Sequence, residues 1–184
     1  MQTPMKYALV IGLLMPVSPV LMANSIFDDA QFNILNRNFY FYRDFRNGGF
    51  NPSGANSQVP VADKHGYRSE WAHGIVAQYQ SGYTDGALKL GFDAYGLLGI
   101  KLDSNIYHTG TNLIEFDPQT GKTKNAYGEI GGAIKLKYGA TEFKYGDQFP
   151  NVPVLATSTV RLLPTVSTGL SIQDKSIENL TLNL

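Results

Sequence analysis

The chain has 184 residues, with 15 Lys and Arg against 15 Asp and Glu, three His and no Cys. A zero formal charge, with no basic stripe interleaved with aromatics, argues against a nucleic-acid partner. The absence of Cys removes disulfide staples and thiolate metal sites, and no stretch reaches the roughly 18 apolar residues of a membrane-spanning helix.

Residues 1–23 read as a secretory signal: Lys6, an apolar run from Tyr7 to Leu14, then Pro16, Pro19 and the small residue Ala23. Two prolines argue against a short buried helix there. The mature chain is expected to start at Asn24. Phe32 to Arg43 is strand-prone, but its apolar residues fall on both phases, and Arg37 and Arg43 share a phase with Phe39 and Phe41. A bulge would re-aim part of it.

From Tyr67 onward a two-residue period sets in. In Tyr67 to Gln80, Tyr67, Trp71, Ile75, Ala77 and Tyr79 oppose Arg68, Glu70, Gln78 and Gln80, with His73 the exception. In Leu88 to Lys101, Leu88, Leu90, Phe92, Ala94, Leu98 and Ile100 oppose Lys89, Asp93, Tyr95 and Lys101. In Ala126 to Tyr138, Ile130, Ile134, Leu136 and Tyr138 oppose Tyr127, Glu129, Lys135 and Lys137. Thr141, Phe143 and Tyr145 then oppose Glu142, Lys144 and Gln148, and Leu170 and Ile172 oppose Ser171 and Gln173. A last such run is Leu180 to Leu184. Side chains on a strand alternate faces, so each segment separates two environments.

The connections alternate too. Residues 81–86, 139–140 and 174–179 are short; 44–66, 102–125 and 149–167 are long. Transmembrane β-barrels sort their connections in this way, with short turns on the periplasmic side and long loops outside. The sequence therefore predicts an all-β chain, a transmembrane antiparallel β-barrel. Tyr79, Tyr83 and Tyr138 suit an inner aromatic girdle and Trp71 an outer one. A non-channel barrel acting as adhesin or anchor and a soluble secreted β-sandwich binder are the alternative readings.

No catalytic arrangement stands out, and no enzyme activity or cofactor is expected. Gly121-Lys122-Thr123 lacks the first glycine of a phosphate loop, whose place is taken by Phe116, and residues 117–121 suit a surface turn. His65, His73 and His108 have no metal-ligand spacing, so no metal is expected, and no Gly-x-Ser-x-Gly elbow exists.

The chain resembles the amino-terminal portion of the OprD family of outer-membrane porins. The residues that carry the resemblance are Asn36 to Phe45, Glu70 to Gly74, Tyr79 to Gly86, Gly91 to Asp103, Pro150 to Leu155 and Arg161 to Pro164. The resemblance implies an eighteen-strand barrel, of which this chain would supply about seven strands. It implies passive uptake of small carboxylate-bearing solutes: basic amino acids, small peptides or organic acids. Outer-membrane lipid would be its surroundings, and a homotrimer stays open. A chain of this length alone is not expected to form a pore.

The resemblance also implies that the third long loop, about 149–168, folds inward as a constriction. Its Pro150, Pro153 and Pro164 would stiffen it, while Val152, Val154, Leu155, Leu162 and Leu163 would pack it against the wall. Arg161 on that loop is the foremost substrate-pathway candidate, because a guanidinium grips a carboxylate bidentately. The resemblance further implies a basic ladder along the wall. Strand phase offers Arg37, Arg43, Arg68, Lys89, Lys101 and Lys135 for it, and Asp93 is a further pathway candidate; Asp93, Glu70, Glu129 and Glu142 lie on the same faces as potential cross-strand partners.

Overall fold

The computed structural model describes residues 23–184, so the expected signal segment lies, up to residue 22, outside the described residues. A short helix α1 (Ala23–Asp28) precedes the strands β1 (Gln31–Asp44), β2 (Tyr67–Gln80), β3 (Leu88–Ser104), β4 (Ala126–Tyr138) and β5 (Thr141–Gln148). They are followed by β6 (Asn151–Val152), β7 (Leu155–Ala156), β8 (Ser167–Asp174) and β9 (Leu182–Asn183). Seven of them form one curled antiparallel sheet in the order β1-β2-β3-β4-β5-β8-β9, while β6 and β7 pair only with each other.

Neighbours in sequence are thus neighbours in the sheet, as short turns at one end and long loops at the other require. Strands of 14, 14, 17 and 13 residues for β1 to β4 exceed the roughly 9–11 that a tilted strand needs to cross a bilayer.

Register keeps the two faces distinct. Pairing of Tyr40 with Trp71, Ile75 with Leu98, Phe92 with Ile134 and Tyr145 with Leu170 gathers the apolar set on one face. Most of it is open: Ile34, Leu90, Ile130, Ile134 and Leu170 are each more than half exposed. His73 and Asn38 sit opposite one another on this face, and Asn38 accepts a hydrogen bond from the Trp71 indole. The indole thus keeps a polar partner on an otherwise apolar face.

The second face carries the polar set. Pairing of Arg43 with Arg68, Ala72 with Lys101, Asp93 with Ala133 and Lys135 with Lys144 brings it together. No bulge re-aims β1: β1 and β2 pair without a break from Gln31↔Gln80 to Asp44↔Tyr67. The irregularity falls instead between Trp71 and Ala72 against β3. The apolar residues of β1 on the polar face, Phe39 and Phe41, have another explanation. They pack against a cluster of Ala72, Leu113, Ile114 and Leu162.

A single-layer sheet has no second layer to make a core, so its buried residues need cover from elsewhere. Here the long connections supply it. Residues Leu113 and Ile114 from one and Leu162 from another close the first cluster, and Phe149, Leu163 and Val166 cover a second made of Val76, Tyr95 and Leu97.

Candidate solute pathway

The segment between β5 and β8 folds back over the polar face. Leu162 is wholly buried against β2, where Gly74 leaves room: a Cβ there would lie 3.0 Å from Leu162 Cγ. From β1, Arg37 reaches across and donates to the Thr159 carbonyl at 2.8 Å and the Leu162 carbonyl at 3.3 Å. Charge-assisted bonds of this kind are worth about 1.5–3 kcal/mol each when shielded, less here because one is exposed. Phe149 stands edge-on to Tyr95 with ring centres 5.0 Å apart.

Two expectations for this segment need correction. Val154 is 92% exposed and Leu155 is 53% exposed, so neither packs on the wall. The reason is local: Val152 pairs with Leu155 and Asn151 with Ala156, closing residues 151–156 into their own hairpin. Pro153 sits exposed at its turn, Pro150 and Pro164 are half-buried where the segment leaves and rejoins the wall, and Leu163 packs as expected. Arg161 is exposed, 6.0 Å from the Phe41 ring centre. It has no ion-pair partner among the described residues.

The other basic candidates share the face but not one role. Arg43 and Arg68 lie opposite each other and flank the Phe45 ring at 4.9 and 4.8 Å. Arg68 also donates to the Gly110 carbonyl. Lys101 donates to Thr123 Oγ1 at 3.2 Å. Lys89 is exposed and opposite Lys137. Lys135 is buried: it meets Asp93 at 2.8 Å and the Ser81 carbonyl at 2.9 Å, and stands 5.0 Å above the Tyr83 ring.

Asp93 also pairs with Lys144. One carboxylate between two ammonium groups leaves a local excess of positive charge in a shielded setting, where each charge acts more strongly than in water. Tyr83, in the adjoining turn, has its phenol pushed above the ordinary tyrosine range by burial and by the Glu142 carboxylate it bonds.

Sequence phase missed one acidic group. Asp147 stands on the apolar phase of β5, yet its carboxylate lies 3.5 Å from the Tyr95 hydroxyl and accepts from Thr168 Oγ1 at 2.6 Å. Gly146 is the cause. Its φ of +128° turns the chain, and a Cβ there would lie 2.5 Å from the Gly132 carbonyl oxygen. A glycine inside a strand pattern is the available signal for such a turn. Tyr95 also donates to Glu129 at 2.6 Å, so a tyrosine joins two carboxylates beside the lysine pair. A recess of about 180 Å³ opens between them, lined by Gln78, Asp93, Tyr95, Lys144, Asp147 and Phe149.

Comparison with known proteins identifies the family of the chain. The family described as outer membrane porin, OprD family, matches residues 24–184. The chain is 34% identical to Porin D of Pseudomonas aeruginosa over 166 residues, which is 90% of this chain and 34% of that protein. It is 30% identical to the porin-like protein GalP of Pseudomonas putida over 161 residues, 88% of this chain and 36% of that one. Among solved structures, Pseudomonas aeruginosa OccK9 (OpdG) superimposes with a TM-score of 0.74 at 36% identity, covering 86% of this chain and 38% of its own. Pseudomonas aeruginosa OpdK with vanillate gives 0.68 at 31% identity, covering 86% and 36%. The chain thus spans about a third of the length of the curated relatives it matches. With its two-faced antiparallel sheet and its match from residue 24 to residue 184, the chain belongs to the OprD family of outer membrane porins.

Proposed function

We propose that the polar face lines the lumen of a passive channel for small carboxylate-bearing solutes, and that residues 149–168 narrow it. The observation that carries this reading is the placement of Arg161. Its neighbour Leu162 is buried against the wall and tied to Arg37, while Arg161 itself stays exposed and free of ion pairs among the described residues. A guanidinium held on an anchored segment offers a planar fork to a passing carboxylate at little cost in ordering.

Each remaining group has a place in this reading. Arg37 positions the narrow segment, and Arg43, Arg68, Lys89 and Lys101 form the basic side of the path. The Lys135–Asp93–Lys144 group, with one positive charge in excess, adds a shallow site for an anion. Glu129 and Asp147, joined by Tyr95, receive the amino or guanidino end of the same solute. Several weak sites in series let a solute leave as readily as it enters. The mixed lining suits basic amino acids and small peptides as well as organic acids. Vanillate, the solute in the OpdK structure, is itself an aromatic carboxylate. Residues 1–23 serve export in this reading.

The test uses a chimera in which residues 24–184 replace the matching segment of Porin D. Liposome swelling compares arginine, benzoate and an uncharged sugar. Arg161→Ala is expected to slow both carboxylates several-fold relative to the sugar. Equal change in all three rates would sink the assignment.

A further inference from the structure

His65 and His108 sit in different long connections, one before β2 and one after β3, yet His65 Nδ1 and His108 Nε2 lie 3.3 Å apart. We propose that this pair is a binding site for a divalent transition-metal ion of the copper and zinc class, with water filling the remaining positions. The inference is independent of the solute pathway.

The spacing is the first argument. Two imidazole nitrogens on one tetrahedral ion, each at roughly 2.0–2.1 Å, stand about 3.4 Å apart. The ring centres are 4.9 Å apart with the planes at 78°. Two imidazoles sharing a straight N–H···N bond would place them about 5.6 Å apart. The rings are therefore bent away from a straight bond, as ligands facing a shared ion are.

Both histidines are also held from outside the pair. The His65 amide donates to Asn56 Oδ1 at 2.9 Å, and its carbonyl accepts from the Asn51 amide at 3.0 Å and from Asn56 Nδ2 at 3.1 Å. Asn51 and Asn56 are themselves fully buried, and Asn51 Nδ2 also donates to the carbonyls of Tyr107 and Thr109 on either side of His108. The His108 amide donates to the Asn105 carbonyl at 2.9 Å and its carbonyl accepts from the Ser69 amide at 3.0 Å. Rings are fixed as well: Tyr107 stacks on His65 with centres 5.4 Å apart, and Tyr67 lies 4.1 Å from His108. Ligands held this way lose little freedom on binding.

Chemistry narrows the ion. Neutral imidazole favours copper, zinc and nickel over magnesium or calcium, with copper the tightest. His65 is exposed and His108 half-exposed, so an ion reaches them from solvent. Among the described residues no group of three or more His, Asp or Glu converges, which makes this a two-ligand site open to water.

The full chain, folded in detergent micelles, is titrated with CuCl2 and with ZnCl2 by calorimetry. One equivalent of each is expected, copper the tighter. His65→Ala and His108→Ala should each weaken binding by at least the roughly 10–100-fold that loss of a supporting contact costs a metal site. His73→Ala, on the apolar face, should leave it unchanged. Binding that survives either of the first two substitutions, or fails in the unmodified chain, overturns the proposal. Electron spin-echo spectroscopy of the Cu²⁺-loaded unmodified chain is a second readout that needs no variant. Two coordinated imidazoles are expected, and one or none overturns the site.

Discussion

Gly74 and Leu162 interlock: a Cβ on the glycine would lie 3.0 Å from Leu162 Cγ and 3.1 Å from both its Cδ1 and its carbonyl oxygen. The absent side chain is what lets the segment between β5 and β8 lie on the wall. Gly74→Val should lift it. Overpacking costs about 1–3 kcal/mol, roughly a 5- to 150-fold rise in the undocked population. The chain has no native Cys, so a single Leu163→Cys reporter, with Leu162 left intact, reads this directly. Thiol labelling should be slow with Gly74 present and faster by that factor with Val. Equal rates would mean that the close contact does not hold the segment.

Asp93 balances two lysines in a shielded place, with its side chain 12% exposed and that of Lys135 9% exposed. Asp93→Asn leaves both ammonium groups facing each other. Removing one member of a buried pair costs up to about 3–5 kcal/mol. The shift from folded to unfolded mobility in detergent gels should come at a clearly lower temperature. Adding Lys135→Met should recover part of the loss, because it removes one uncompensated charge.

Arg37 and Arg161 are both basic and close to one segment, yet they should fail differently. Arg37 is committed to two carbonyls of that segment. Arg37→Ala in the chimera should raise flux of carboxylate and sugar alike by loosening the constriction. Arg161→Ala should slow carboxylates and spare the sugar. Liposome swelling with the two variants side by side separates a positioning arginine from one that meets solute.

Gly146→Ala should be costly for its size. It places a side chain at φ +128° and a Cβ 2.5 Å from the Gly132 carbonyl oxygen. Backbone strain of this kind costs about 1–3 kcal/mol. Relief by straightening β5 would return Asp147 to the apolar face. Loss of thermal stability together with weaker preference for arginine over benzoate is the expected pair of effects in the chimera.

Asp117, in the connection between β3 and β4, is held below the usual carboxylate range by the amides of Thr120 and then Gln119. A depressed folded-state value means that the turn is supported above the ordinary aspartate pKa of about 3.9. That support is lost as pH falls through the lower folded value. Carboxyl ¹³C shifts should therefore titrate at a lower midpoint than in an unfolded peptide of the same sequence.

The two-faced strands and their order are legible in the chain alone. Alternation is a local property, written in adjacent residues of Leu88 to Lys101 or Ala126 to Tyr138, and a strand must place such residues on opposite faces. Short and long connections then dictate an antiparallel meander. What meets on the polar face depends on how the chain folds back on itself. Phe39 and Phe41 are out of phase in the chain and covered by Leu162 in the fold. Asp147 changed faces through one glycine, and Val154 and Leu155 turned away because their hairpin pairs with itself. His65 and His108 are separated by 43 positions and show no ligand spacing in the chain. Such meetings depend on strand register and loop path together, where a one-residue shift moves a side chain to the opposite face, so no local pattern encodes them.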